Sequence, residues 1–330
     1  MKNENRIVYI DFFRGIGILL MVMGHMSFGG LYGFGPEFDK FIYAFHMPMF
    51  FVISGYFFHM KDNYKVFFNQ KLKTLILPYV FFGFCYSSLW ILSNKATNFK
   101  PVLRLLWNND SDLPYEGALW FLTAIFFSYV IYDLIHRLVY RKEYILFITV
   151  ICVAIGHLTC FYNIDLPWSL DAALIGVGLM YFGELIHRKK LLYLKWYWLI
   201  ALIVVVGLGI YLNKPVNMNS GIYGNVLLFW INAIGATVVG LNLSRLLCCK
   251  FSKSIIINYF SWIGNNSIVF LCCNHLPILF VSRFLLRFGL SNTVLATIIS
   301  MMLISFICLV FINTPLILFI GKYKKKNNRT

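Results

Sequence analysis

The sequence is short of charge. Only 13% of its 330 residues are Asp, Glu, Lys or Arg, and just 13 of those are acidic. A water-soluble domain usually carries about 25% charged residues, so water alone would not solvate this surface and an ordinary soluble enzyme is excluded. Polar, low-hydrophobicity tracts of the kind that keep a chain disordered are also missing. The eight cysteines include no CxxC pair, which removes zinc ribbons and redox dithiols and leaves small core residues. No two histidines stand four apart, so the HxxxH and HxxEH metal spacings do not occur and no metal is expected. Repeats, low-complexity tracts and a hydrophilic stretch large enough for a second domain are absent as well.

Apolar residues are abundant: 60% of the chain is hydrophobic and 18% aromatic. The expected solvent is lipid, and the expected fold is an all-α integral membrane protein. Windows of about 20 apolar residues mark ten spans, near 9–28, 40–59, 74–94, 117–136, 143–160, 166–187, 193–212, 223–246, 264–284 and 292–320. The last is long enough to tilt or break at Pro315. With the amino terminus inside, 21 of the 29 Lys and Arg fall in inner segments, seven in outer ones, and Arg14 within a span. That asymmetry places both termini in the cytoplasm and explains the net charge of +16 without a nucleic-acid partner. One polytopic unit over 1–330 is expected in the cell membrane, with a core at 8–320 and a basic tail at 321–330. The first span holds Asp11, Arg14 and His25 and is followed by no small-residue cleavage site, so it is expected to be retained.

Ionisable groups within spans are costly and mark functional sites by default. Arg14 and His25 are eleven residues apart, three helical turns plus about 20°, so they share one face about 16 Å apart along the axis. Arg14 then lies toward the cytoplasm and His25 toward the outside. A guanidinium there suits phosphate or carboxylate recognition, or an ion pair with Asp11, and the two roles are compatible. An imidazole can take a proton from a hydroxyl at neutral pH. His46 falls at nearly the depth of His25, as a second functional imidazole or a hydrogen-bonded packing residue. Pro48 removes a backbone donor and frees a carbonyl near residue 44. Gly264-Asn265-Asn266-Ser267 reads as a helix cap whose amides, with Asn265 and Ser267, face the cytoplasm as an anion site. Trp120 is either a platform for a sugar ring or part of the interfacial aromatic belt. The outer loop 95–116, ending in Tyr115 and Glu116, suits a polyhydroxyl ligand or plain solvation, and Glu37 stands on the same side. Gly15-Ile16-Gly17 reads as a site of close helix packing.

Tyr9-Ile10-Asp11-Phe12-Phe13-Arg14-Gly15-Ile16-Gly17-Ile18, closing in Gly24-His25, resembles the opening helix of membrane acyltransferase family 3. Phe45 to Tyr56, Leu77-Pro78-Tyr79, Gly117 to Leu122, Pro167 to Asp171 and Ile263 to His275 resemble its fucose 4-O-acetylase-like branch, in order, over about residues 8–320. The resemblance implies transfer of an acyl group, usually acetyl from cytoplasmic acetyl-CoA, to a hydroxyl of a cell-surface saccharide or its lipid-linked precursor. It makes Arg14 and His25 the essential pair. Many members carry paired arginines where this chain has Lys71 and Lys73, which can meet CoA phosphates only as point charges. Larger members append an extracellular hydrolase-like domain, and this chain is expected to act alone or with a partner. The expected mechanism has CoA at Lys71, Lys73, Tyr79 and Arg14, with His25 as general base oriented by His46 or Asp171. A ping-pong route would instead need His25 or Ser54 as nucleophile. The competing class is a transporter or flippase of a saccharide precursor that uses buried His, Arg and Asp.

Overall fold

The computed structural model describes residues 7–31, 33–94, 100–107 and 118–321. Among them it is helical, with no strand and one isolated bridge between Asn217 and Ile222. The first half comprises α1 (Val8–Gly24), α2 (Pro36–Tyr43), α3 (Pro48–Tyr56), α4 (Tyr64–Lys71), α5 (Leu77–Ser93), α6 (Lys100–Trp107) and α7 (Trp120–Leu138). The second comprises α8 (Lys142–Phe161), α9 (Leu170–Arg188), α10 (Trp196–Leu212), α11 (Val226–Lys250), α12 (Ile255–Asn265), α13 (Ser267–Cys273), α14 (His275–Arg287) and α15 (Thr293–Asn313). Asparagine or serine side chains cap the starts of α4, α11, α12 and α15, satisfying amides that lie beyond the helical ladder.

Six helical stretches among the described residues are long and apolar enough to cross a membrane, and the bent pair α12–α13 would make a seventh. The ten expected spans are not all continuous. The segment expected at 40–59 is broken: α2 ends at Tyr43, residues 44–47 turn, and Pro48 starts α3, because a proline without an N–H fits a first helical turn and not a helix interior. The segment expected at 264–284 is broken twice, at Asn266 with a 73° bend between α12 and α13, and at Asn274 before α14. The segment expected at 74–94 is longer, running from Tyr64 to Ser93 through a π-helical turn at Leu72–Ile76. At the other end α15 stops at Asn313 and a 3-10 turn follows from Pro315, as the proline predicts.

In lipid, helices associate through close packing of small residues rather than through exclusion of water. Two crossings here have no room for a side chain. A Cβ on Gly15 of α1 would lie 2.0 Å from the Phe260 carbonyl oxygen, and one on Gly264 of α12 would lie 1.8 Å from that of Asp11. At the second crossing a Cβ on Gly55 of α3 would lie 1.9 Å from the Met180 oxygen, and one on Gly183 of α9 would lie 1.9 Å from that of Val52. The first crossing carries Gly15-Ile16-Gly17 and brings the bend after α12 against Arg14. The second makes α9 central: its span is 67% buried, against 17% for α8, whose apolar side chains face outward.

Candidate active site

Arg14 projects from α1 into a cavity of about 280 Å³. Its guanidinium donates to Ser267 Oγ at 2.9 Å and stands 3.8 Å from Asp11. A guanidinium has five N–H donors, so these contacts orient it without using it up. Across the cavity the Lys71 ammonium sits 3.1 Å above the centre of the Tyr129 ring, a cation–π contact that holds the charge without neutralising it. Ser54 and Thr74 add hydroxyls, while Phe50, Phe121 and Ile125 add an apolar wall. Among the described residues two cations and no carboxylate line this space, an arrangement that attracts an anion with an apolar extension.

His25 closes α1 and opens on a second cavity of about 70 Å³, shared with Tyr43, His46, Ala118, Trp120 and residues 217–219. Its Nδ1 lies 3.1 Å from Asn274 Oδ1. The Asn274 amide donates to the carbonyls of Phe270 and Leu271, at 3.4 and 2.6 Å, which turns its oxygen toward the imidazole. An acceptor at this position favours the neutral tautomer with the proton on Nδ1, which leaves the lone pair on Nε2. The His275 ring stacks on His25 with centroids 5.5 Å apart. His46 is fixed in the same tautomer by Nδ1 donating to the Ile42 carbonyl at 2.9 Å, with Tyr43 edge-on at 5.0 Å. The carbonyl engaged is that of Ile42, two residues before the one expected from Pro48.

The two cavities are stacked along α1. Trp120 lines the His25 cavity while its neighbour Phe121 lines the Arg14 cavity, and Met47 and Phe50 divide in the same way. The structure thus brings Arg14, Lys71 and Ser267 together at one end, and His25, His46 and Trp120 at the other. Trp120 is buried, so its ring faces the cavity and not a lipid belt.

Other expected residues lie elsewhere. Asp171 does not line the His25 cavity. It sits near the start of α9, with the Cys160 thiol 3.9 Å away, and Asn274 occupies the position at His25 Nδ1 expected for a carboxylate. Tyr79 is buried with its hydroxyl donating to the Leu105 carbonyl at 2.6 Å, and Lys73 is exposed on the π-helical turn; neither lines the Arg14 cavity. Asn265 is exposed at the end of α12, and Ser267 reaches Arg14 through its hydroxyl rather than as a cap, since no side chain caps α13. Glu37 is exposed on α2, and Glu116 lies outside the described residues. Asn274, Tyr129 and the Asn217–Asn219 turn were not singled out by sequence. The one available signal was Asn274, an amide inside an apolar run beside His275.

Stacked cavities on one polar-faced helix, inside a bundle of apolar helices, define a multi-pass membrane protein with an anion-attracting site and an imidazole site. The chain belongs to membrane acyltransferase family 3: the family model described as an acyltransferase domain matches residues 7–314. Among curated proteins it is similar to Nodulation protein NolL of Mesorhizobium japonicum, 30% identical over 167 residues that cover 47% of this chain and 43% of that protein. Nodulation protein NolL of Sinorhizobium fredii is 28% identical over 167 residues, covering 47% and 44%. The match spans less than half the length of these relatives. No solved structure matches the chain.

Proposed function

We propose that the protein is a membrane O-acyltransferase that moves an acyl group, acetyl in the simplest case, from acyl-CoA to a hydroxyl of a saccharide or lipid-linked saccharide. The observation that carries this reading is the pairing of a cationic cavity at Arg14 with an imidazole cavity at His25 on one helix. CoA phosphates meet Arg14 and Lys71, the thiol arm follows the apolar wall along α1, and the thioester reaches His25. The acceptor hydroxyl approaches from the opposite cavity, with Trp120 offering a ring face to the sugar.

His25 Nε2 takes the hydroxyl proton as the oxygen attacks the thioester carbonyl carbon. The new C–O bond forms, the C–S bond breaks, and the imidazolium returns the proton to the CoA sulfur. Asn274 holds the tautomer that leaves Nε2 basic. Direct transfer is favoured over an acyl-enzyme on Ser54, because Ser54 and His25 line different cavities. In this reading the whole chain is one catalytic unit, with both termini and the Arg14 cavity on the cytoplasmic side and the remaining spans completed by the broken helices.

The test is thiol release by purified protein in detergent, with acetyl-CoA and a panel of saccharides. Release is expected only when an acceptor is present, and is expected to be lost in His25→Ala while acetyl-CoA binding persists. Normal turnover by that variant would remove His25 as base. Absence of acetyl-CoA binding by the native protein would shift the reading to transport of a saccharide precursor.

A further inference from the structure

The connection between α10 and α11 is held by asparagines. Buried Asn213 accepts the N–H groups of Lys214 at 2.9 Å and Asn225 at 2.7 Å and donates to the Tyr223 carbonyl at 3.4 Å, so one side chain ties both ends of the turn. Nearer the tip, Asn217 and Ile222 exchange backbone hydrogen bonds of 2.7 and 2.9 Å. Asn217 Oδ1 accepts the N–H groups of Asn219 at 3.1 Å and Ser220 at 3.4 Å. The tip is therefore preorganised, and residues 217–219 form a wall of the cavity that holds His25, His46 and Trp120. Within that wall Asn219 Oδ1 is buried and has no hydrogen-bond partner among the described residues. A buried amide oxygen without a donor is costly, and a ligand donor reaching it from the adjoining cavity would satisfy it.

We infer that Asn219 selects the acceptor: its Oδ1 accepts a hydrogen bond from a second hydroxyl of the saccharide, next to the hydroxyl that faces His25. This inference rests on the acyltransfer reading for the identity of the acceptor. The cavity of about 70 Å³ has room for the edge of a sugar ring, one or two hydroxyls, so the preferred class is a saccharide presenting two neighbouring hydroxyls. The imidazole side engages the reacting hydroxyl and the turn reads its neighbour.

The experiment uses the full-length protein in detergent with methyl glycosides of glucose, galactose, mannose and fucose, each beside its monodeoxy analogues. Both calorimetric binding and acetyl-CoA-dependent transfer are read. The native protein is expected to prefer the diol over the analogue lacking the neighbouring hydroxyl by about 3- to 10-fold, the worth of one net hydrogen bond. Asn219→Ala should lose that preference while leaving the donor KM unchanged, Asn219→Asp should keep it, and Ser220→Ala should behave as native. A role limited to structure would weaken diol, deoxy analogue and donor alike, which would overturn the inference. So would an unchanged preference in Asn219→Ala, or no glycoside binding at all. Glycoside binding with the expected preference but no transfer would sustain the inference and sink the acyltransfer reading instead.

Discussion

Two ends of one helix bury polar side chains in different ways. At the Arg14 end a permanent charge lies against Asp11 and Ser267, faces a second cation held over an aromatic ring, and opens into about 280 Å³. At the His25 end the side chains are imidazoles and amides, with His25 held by Asn274 and His46 by the Ile42 carbonyl, around about 70 Å³. Charge with spare donors captures an anion and tolerates positional slack, because Coulomb attraction falls off slowly with distance. Neutral groups in fixed tautomers tolerate little slack, because a hydrogen bond weakens steeply once its angle opens. The first end is suited to holding a donor substrate and the second to directing a proton.

Substitutions can break that contrast, and the largest effect belongs to the small cavity. His25→Ala should lower the transfer rate by about 10²- to 10⁴-fold, the usual worth of a positioned base, with donor affinity intact; comparing initial rates with acetyl-CoA titrations checks both halves. At the roomy end Arg14→Ala should raise the acetyl-CoA KM by about 10- to 100-fold, from roughly 1.5–3 kcal/mol for hydrogen bonds to a charged group, and should leave saccharide KM unchanged. Arg14→Lys, which keeps the charge and loses the fork, should fall between. A fall in kcat at constant donor KM would show the two ends are not divided in this way.

Asn274→Ala removes the bond that fixes the His25 tautomer and should lower kcat by about 10-fold, from roughly 1–1.5 kcal/mol. The imidazole NMR shifts should then report a mixture of tautomers, which a purely steric role for Asn274 would not produce. The smallest effect is Ser267→Ala, about two- to fivefold in donor KM and nothing in kcat. Steady-state kinetics with acetyl-CoA varied at saturating acceptor would detect it.

Hydropathy revealed the helical class and most long helices, because an apolar run of about 20 residues reads the same in any order. Helical periodicity also puts Arg14 and His25 on one face, since eleven residues exceed three turns by only about 20°. Hydropathy did not reveal breaks. Asn266 and Asn274 are single polar residues inside apolar windows, and averaging erases them, although they are the points where the chain bends toward Arg14 and His25. Pro48 does signal a break, but the apolar window at 40–59 runs straight across it. Depth along a span likewise says nothing about which neighbour a side chain faces. Depth alone sets Asp171 near the outer end of its span, but α9 turns it toward Cys160. Residues 217–219 carry no periodicity, so their place in the cavity depends wholly on tertiary packing.

The glycine contact at Gly15 and Gly264 locks α1 in place close to Arg14, and from there the helix runs without a break to His25. Adding or deleting one residue between them would turn His25 by about 100° and shift it by about 1.5 Å, carrying the imidazole off Asn274 with every side chain otherwise unchanged. Adding four would nearly restore the face, yet place the imidazole about 6 Å farther away, beyond the reach of the proposed CoA thioester if its phosphates stayed at Arg14. On the acyltransfer proposal the helix would act as a gauge for the length of the donor, and a truncated carrier with the same acyl group would arrive short. The residue count of this stretch therefore sets a dimension of the site as firmly as the side chains do.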